Sequence, residues 1–223
     1  MRVASTWEPQ AVSIAVQAVR LQGLLRTPPD ARIVVLFAHG SGSGRLSPRN
    51  NYVAEWLGQS GVATLLFDLL TEEEEEIDQV TAELRFNIPL LTNRLVAATE
   101  WALRQQCLKG LTVGYFGAST GAAAALAAAA RMGTITAVVS RGGRPDLAGA
   151  TALAQVRAAT LLIVGANDRE VLALNRTALK QLNCEAQLEV VPGATHLFIE
   201  PGALEQVAAL SAAWFTRHAE PRL

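Results

Sequence analysis

A series of predominantly apolar runs, separated by segments with helical spacing, restricts this chain more than any other feature. The runs occupy residues 33–38, 63–67, 111–116, 135–139, 160–164 and 188–191. A strand with one wet face alternates polar and apolar residues. A near-continuous apolar run belongs instead to a strand buried on both faces, as in a parallel sheet. Between the runs, residues 50–59 (with Tyr52, Val53, Trp56 and Leu57), 91–103 (with Leu91, Leu95, Val96, Ala98 and Leu103), 171–182 and 204–215 repeat apolar residues at helical intervals. This alternation predicts an α/β fold, a mostly parallel central sheet with helices on both faces. The start differs: residues 12–16 alternate, 19–25 continue, and Thr27-Pro28-Pro29-Asp30 turns the chain, which predicts an antiparallel entry. The 223 residues contain no repeat, no linker and no block large enough for a separate cap, so a single domain over 1–223 is expected.

The segment Gly117-Ala118-Ser119-Thr120-Gly121 sits where the run at 111–116 meets a small-residue helix from Ala122 to Arg131. A catalytic serine must lift its hydroxyl clear of the sheet on a sharp, strained turn, and side chains two positions either side would strike neighbouring backbone. Directly after the run at 33–38 comes His39-Gly40-Ser41-Gly42-Ser43-Gly44. Such a turn can aim the N–H of Ser41 at a developing oxyanion, with the N–H of Thr120 as the second donor. The turn fits neither phosphate-binding alternative. A dinucleotide fingerprint needs a glycine where Arg45 stands, and a P-loop needs a Gly-Lys pair that is absent.

Two histidines follow Ser119. His218 lies in the polar tail 216–223, where a solvated surface position is expected; His196 lies in the loop after the last strand and is the expected base. The acid is Asp168 or Asp146. Asp168 follows the later strand, where the Ser, acid, His order places it, although an aspartate there also serves as a helix N-cap. Asp146 reads as a cap behind Pro145. Arg141 and Arg144 follow the run at 135–139 and are candidates to hold a substrate carboxylate or phosphate, against solvated arginines or an ion pair to the acidic segment. That segment, Glu72 to Glu76, reads as a solvated loop or frayed helix start, or as a lid at the mouth of the site.

Composition closes several routes. A formal net charge of −1 and no basic cluster argue against nucleic acid as a partner. Cys107 and Cys184 show neither metal-ligand nor redox spacing and are expected as packed, reduced thiols. Residues 1–22 carry no signal-peptide pattern, and the stretch 122–130 is too short to span a bilayer, so a cytoplasmic protein without membrane contact is expected.

Through the His39-Gly40 turn, Gly117 to Gly121, Gly165 to Asp168, and Gly193 to His196, the chain resembles the α/β-hydrolase superfamily, and within it the dienelactone-hydrolase-like branch. The resemblance covers nearly the whole chain. It implies the capless α/β-hydrolase fold and an ester-type reaction, although dienelactone hydrolases carry a cysteine where this chain has Ser119. The expected activity is a serine hydrolase acting on a small or moderate carboxylic ester, lactone or thioester, with Ser119, Asp168 and His196 as its triad. No metal or organic cofactor is implied. The alternatives are an acyltransferase with the same triad and a non-catalytic binding module on this fold.

Overall fold

The computed structural model describes residues 8–219. The first seven residues of the stretch read above for a signal peptide, and the last four of the polar tail, lie outside that range. The strands are β1 (Gln10–Val16), β2 (Val19–Arg26), β3 (Ile33–Ala38), β4 (Ala63–Phe67), β5 (Thr112–Ala118), β6 (Ile135–Arg141), β7 (Ala159–Gly165) and β8 (Ala186–Val191). They form one eight-stranded sheet in the order β1-β2-β4-β3-β5-β6-β7-β8. β1, β2 and β4 pair antiparallel and every later pair is parallel. The strands β3, β4 and β7 are buried at every position, as strands covered by helices on both faces require.

The helices are α1 (Pro48–Gln59), α2 (Glu72–Thr81), α3 (Ile88–Leu103), α4 (Thr120–Arg131), α5 (Ala150–Gln155), α6 (Arg169–Leu179) and α7 (Ala203–Arg217). Side-chain parity divides the core. Val138 and Leu162 pack with α3 and α4 on one face; Val139, Leu161 and Ile163 pack with α1 and α7 on the other. On the α1/α7 face the rings of Phe37 and Phe116 lie 4.7 Å apart on adjacent strands, a pairing that adds about 0.5–1.5 kcal/mol to their burial. The alanines of α4 are buried almost throughout, which lets that helix lie against both the sheet and α3. From β3 the chain crosses one way to β4 and then the other way to β5. The switch point of the sheet therefore falls between β3 and β5, and a crevice at their C-terminal ends is the expected ligand position.

Three expectations need correction. Glu72 to Glu76 is neither loop nor frayed end but the start of α2. Thr71 Oγ1 accepts the Glu74 N–H at 3.2 Å, and Glu74 Oε2 accepts the Thr71 N–H at 2.8 Å. This capping box, with four glutamates in the positive first turn, stabilises the helix by about 0.5–2 kcal/mol from the cap alone. Arg94 Nη2 holds Glu74 Oε1 at 2.7 Å, and Arg85 clasps buried Asp78 at the other end. Second, Cys107 is an exposed thiol in a single 3₁₀ turn rather than packed, while half-buried Cys184, whose Sγ lies 3.7 Å from Thr160 Oγ1, fits the expectation. Third, α7 runs to Arg217, so His218 is tucked against the Trp214 ring at 4.8 Å and faces Glu185. No helix among the described residues is long and apolar enough to cross a membrane.

Candidate active site

β5 ends at Ala118 and α4 begins at Thr120, so Ser119 makes the whole turn alone. It does so at φ 51°, ψ −121°, a left-handed φ that a non-glycine residue adopts only under constraint. The constraint is visible: the Ser119 N–H donates to the Arg141 carbonyl at 3.2 Å, and the Ser119 carbonyl accepts from Arg144 N–H at 3.1 Å. Ser119 occupies the N-cap of α4, yet its hydroxyl makes no capping bond. The residue type best suited to capping is withheld from that use.

His196 lies over Gly142, the residue after Arg141: a Cβ on Gly142 would stand 3.5 Å from His196 Nδ1. That nitrogen is 2.6 Å from Asp168 Oδ2. Asp168 holds the N-cap position of α6 but makes no capping bond, so its carboxylate serves the imidazole instead. The pairing fixes the tautomer, with Nδ1–H donating to Asp168 and Nε2 left as an acceptor. The other candidate acid, Asp146, is engaged elsewhere. It takes both Nε (2.9 Å) and Nη2 (2.7 Å) of Arg144 in a bidentate pair. Arg144 is therefore bound to its own loop rather than free for a substrate.

Ser41 and Thr120 are brought together, their hydroxyl oxygens 3.4 Å apart. Thr120 is the first residue of α4, where a backbone N–H has no acceptor within the helix. Gly40 makes this approach possible, since a Cβ there would press on the Ala118 carbonyl and Ser119 Cβ at 3.0 Å. The loop is anchored by His39, a role the sequence did not disclose. Buried His39 accepts the Leu69 N–H on Nε2 at 2.9 Å, so Nδ1 carries the proton and donates to the Gly40 carbonyl at 3.0 Å. Arg45 on the same loop is ion-paired to Asp68 at the end of β4. Beside it, residues 42–49 wall a cleft of about 420 Å³ that Glu72 and Glu75 of α2 border.

Burial pushes the His39 pKa below its ordinary value, with the Gly40 contact and the Asp68 and Glu75 charges opposing. The unfolded chain therefore takes up a proton at His39 at a higher pH than the folded protein does. Stability contributed by neutral His39 is present above the unfolded pKa and is lost as pH falls through the folded one. Denaturant midpoints at about pH 7.5 and about pH 5 are expected to show a loss at the lower pH that His39→Gln reduces. An unchanged pH dependence in the variant would remove His39 from this account.

Arg141 is the unusual member of the site. It is only 8% exposed, its Nε and Nη1 have no hydrogen-bond partner, and burial followed by the nearby Arg49 charge pushes its pKa down to about 10. Arg49 was not singled out from the sequence. Its signal was position, a cation in the first turn of a helix, where the macrodipole disfavours it.

Residues 21–218 match the dienelactone hydrolase family. The chain belongs to that family. It is similar to the crystal structure of a dienelactone hydrolase from Anabaena variabilis, with 56% identity, a TM-score of 0.94, and 96% of this chain and 99% of that one covered. An α/β serine hydrolase without lid from Xanthomonas campestris shares the fold at 19% identity and a TM-score of 0.76, covering 97% of each chain. Est1E from Butyrivibrio proteoclasticus does so at 16% and 0.79, over 93% of this chain and 98% of that one. A Mycobacterium tuberculosis protein provisionally named a phosphoribosyl transferase is 54% identical over 210 residues, 94% of this chain. The chain spans about half the length of that relative, 46% of it. As a dienelactone hydrolase family member, the chain has the hydrolase fold without a cap that its sequence predicted.

Proposed function

We propose that this family member is a serine hydrolase that cleaves a small or moderate carboxylic ester, lactone or thioester through an acyl-enzyme. The observation that carries the reading is the pair of withheld caps. Ser119 and Asp168 both stand at helix N-caps, and neither side chain caps its helix. In this reading His196 Nε2 takes the proton of Ser119 Oγ as that oxygen attacks the carbonyl carbon. The N–H groups of Ser41 and Thr120 receive the oxyanion, and Asp168 holds the imidazolium. Collapse expels the alkoxide or thiolate, which takes the proton from His196. Water then attacks the acyl-enzyme by the same route and releases the acid and free Ser119. None of these steps calls on a metal or organic cofactor.

Water is favoured over another acceptor because the His196 side chain is 38% exposed. An acyltransferase would need solvent kept from that nitrogen. The phosphoribosyl transferase name belongs to a protein about twice as long, and the groups gathered here support acyl chemistry. A fluorophosphonate probe is expected to label the protein once, on the peptide carrying Ser119, by displacement of its leaving group by Ser119 Oγ. Absence of that adduct on folded protein would defeat the serine-nucleophile reading.

A further inference from the structure

Two arginines of the α1/α7 face, Arg141 at the C-terminal end of β6 and Arg49 in the first turn of α1, bury guanidinium nitrogens that have no hydrogen-bond partner, and the charge of Arg49 acts on Arg141. Arg141 belongs to the α1/α7 face of β6, since it follows Val139 at a spacing of two and Val139 packs there. Its own backbone carbonyl takes the Ser119 N–H, and it is the register partner of Ala118, so it is an immediate neighbour of the elbow. Arg49 enters from the first turn of α1, and its Nε is likewise buried and unpartnered. Among the described residues, no hydrogen bond or ion pair joins either guanidinium to an acid. The first turn of α1 contains no acidic residue, so its positive end adds to the same field. Arg49 also lines the cleft of about 420 Å³ walled by residues 42–49, so its side chain is open to a ligand from that side.

Buried charges in proteins are paired or hydrogen-bonded, because desolvation is otherwise uncompensated. Arg144 and Arg45 of the neighbouring loops obey this rule through Asp146 and Asp68. Arg49 and Arg141 do not, and what they lack is an anion with several acceptor oxygens. We propose that Arg49 and Arg141 form a subsite for a dianionic phosphoryl group carried by the substrate beside its scissile carbonyl. The assignment rests on the hydrolase reading for that placement. Two fixed cations and a helix N-terminus match a charge of −2, whereas a single carboxylate would leave the pocket net positive. The forked donors of each guanidinium suit tetrahedral oxygens.

Binding can be read without turnover, so that failure of the subsite and failure of the hydrolase reading are distinguishable. Ser119→Ala protein is titrated with phenyl phosphate, at ionic strength held constant with chloride, and its thermal midpoint is followed. A saturable rise is expected, with benzoate at the same concentrations giving none. Added to this background, Arg49→Gln and Arg141→Lys are each expected to weaken the apparent affinity by about 10–100-fold, the loss of a charge-assisted hydrogen bond. Arg49 is the less buried of the two, so Arg49→Gln carries the test if Arg141→Lys does not fold. Equal stabilisation by benzoate, or affinities unchanged in Arg49→Gln, would overturn the subsite. With wild-type enzyme, phenyl phosphate is further expected to compete with ester substrates. Binding by wild-type protein that hydrolyses none of the esters offered would reject the hydrolase reading and keep the phosphoryl site.

Discussion

Ser119→Ala is expected to lower kcat/KM for p-nitrophenyl acetate on the order of 10⁴- to 10⁶-fold and to erase the pre-steady-state burst of p-nitrophenol. The substitution isolates the hydroxyl. Alanine keeps the Cβ, so the backbone at φ 51° is no more strained than before, and the hydroxyl it removes caps nothing. Stability should therefore stay within about 0.5 kcal/mol of the parent. Ser119→Gly completes the argument from the other side. It removes the same nucleophile but also the Cβ that makes this φ costly, and should gain about 1–2 kcal/mol in denaturant unfolding. Activity lost in both variants, with stability gained only in glycine, is the signature of strain held at a nucleophile. A burst that survives in Ser119→Ala would move the acyl-enzyme to another residue.

What the sequence made legible was local, or carried by order along the chain. The apolar runs located the strands because burial on both faces leaves no room for alternation. The glycines flanking Ser119 announced the elbow because close backbone approach tolerates nothing larger. Some local information was present but overridden by a coarser one. Thr71-Glu72-Glu73-Glu74 contains a capping box, yet the density of charge suggested a loop. The two residues that most alter the picture of the site, His39 and Arg49, were out of reach for a different reason. His39 matters through the Leu69 N–H, 30 residues away, and Arg49 through Arg141, which reaches it only across the assembled face of the sheet. Arg141 and Arg144 are indistinguishable by sequence position. Only folding shows that Asp146 engages one and leaves the other without a partner.

Gly121→Ala is expected to be the most destabilising small substitution at the site, with a loss of about 4 kcal/mol or more against a total of about 5–15 for a domain. Gly121 lies in the first turn of α4 with its back to β3. A Cβ there would fall inside 3.0 Å of the carbonyl oxygens of both Ala38 and His39. Neither is the far end of a flexible side chain. Both are backbone at the end of a fully buried strand, so relief requires α4 to move away from the sheet. Movement of that kind also drags Ser119 and Thr120 from Ser41, so residual folded protein should lose activity as well. Gly133→Ala supplies the control, because a Cβ at that position meets nothing within 4 Å. Its unfolding free energy should stay within about 0.5 kcal/mol of the parent. Similar urea midpoints for the two variants would mean that α4 docks loosely. The elbow geometry would then have to be held by the Arg141 and Arg144 backbone bonds to Ser119 alone.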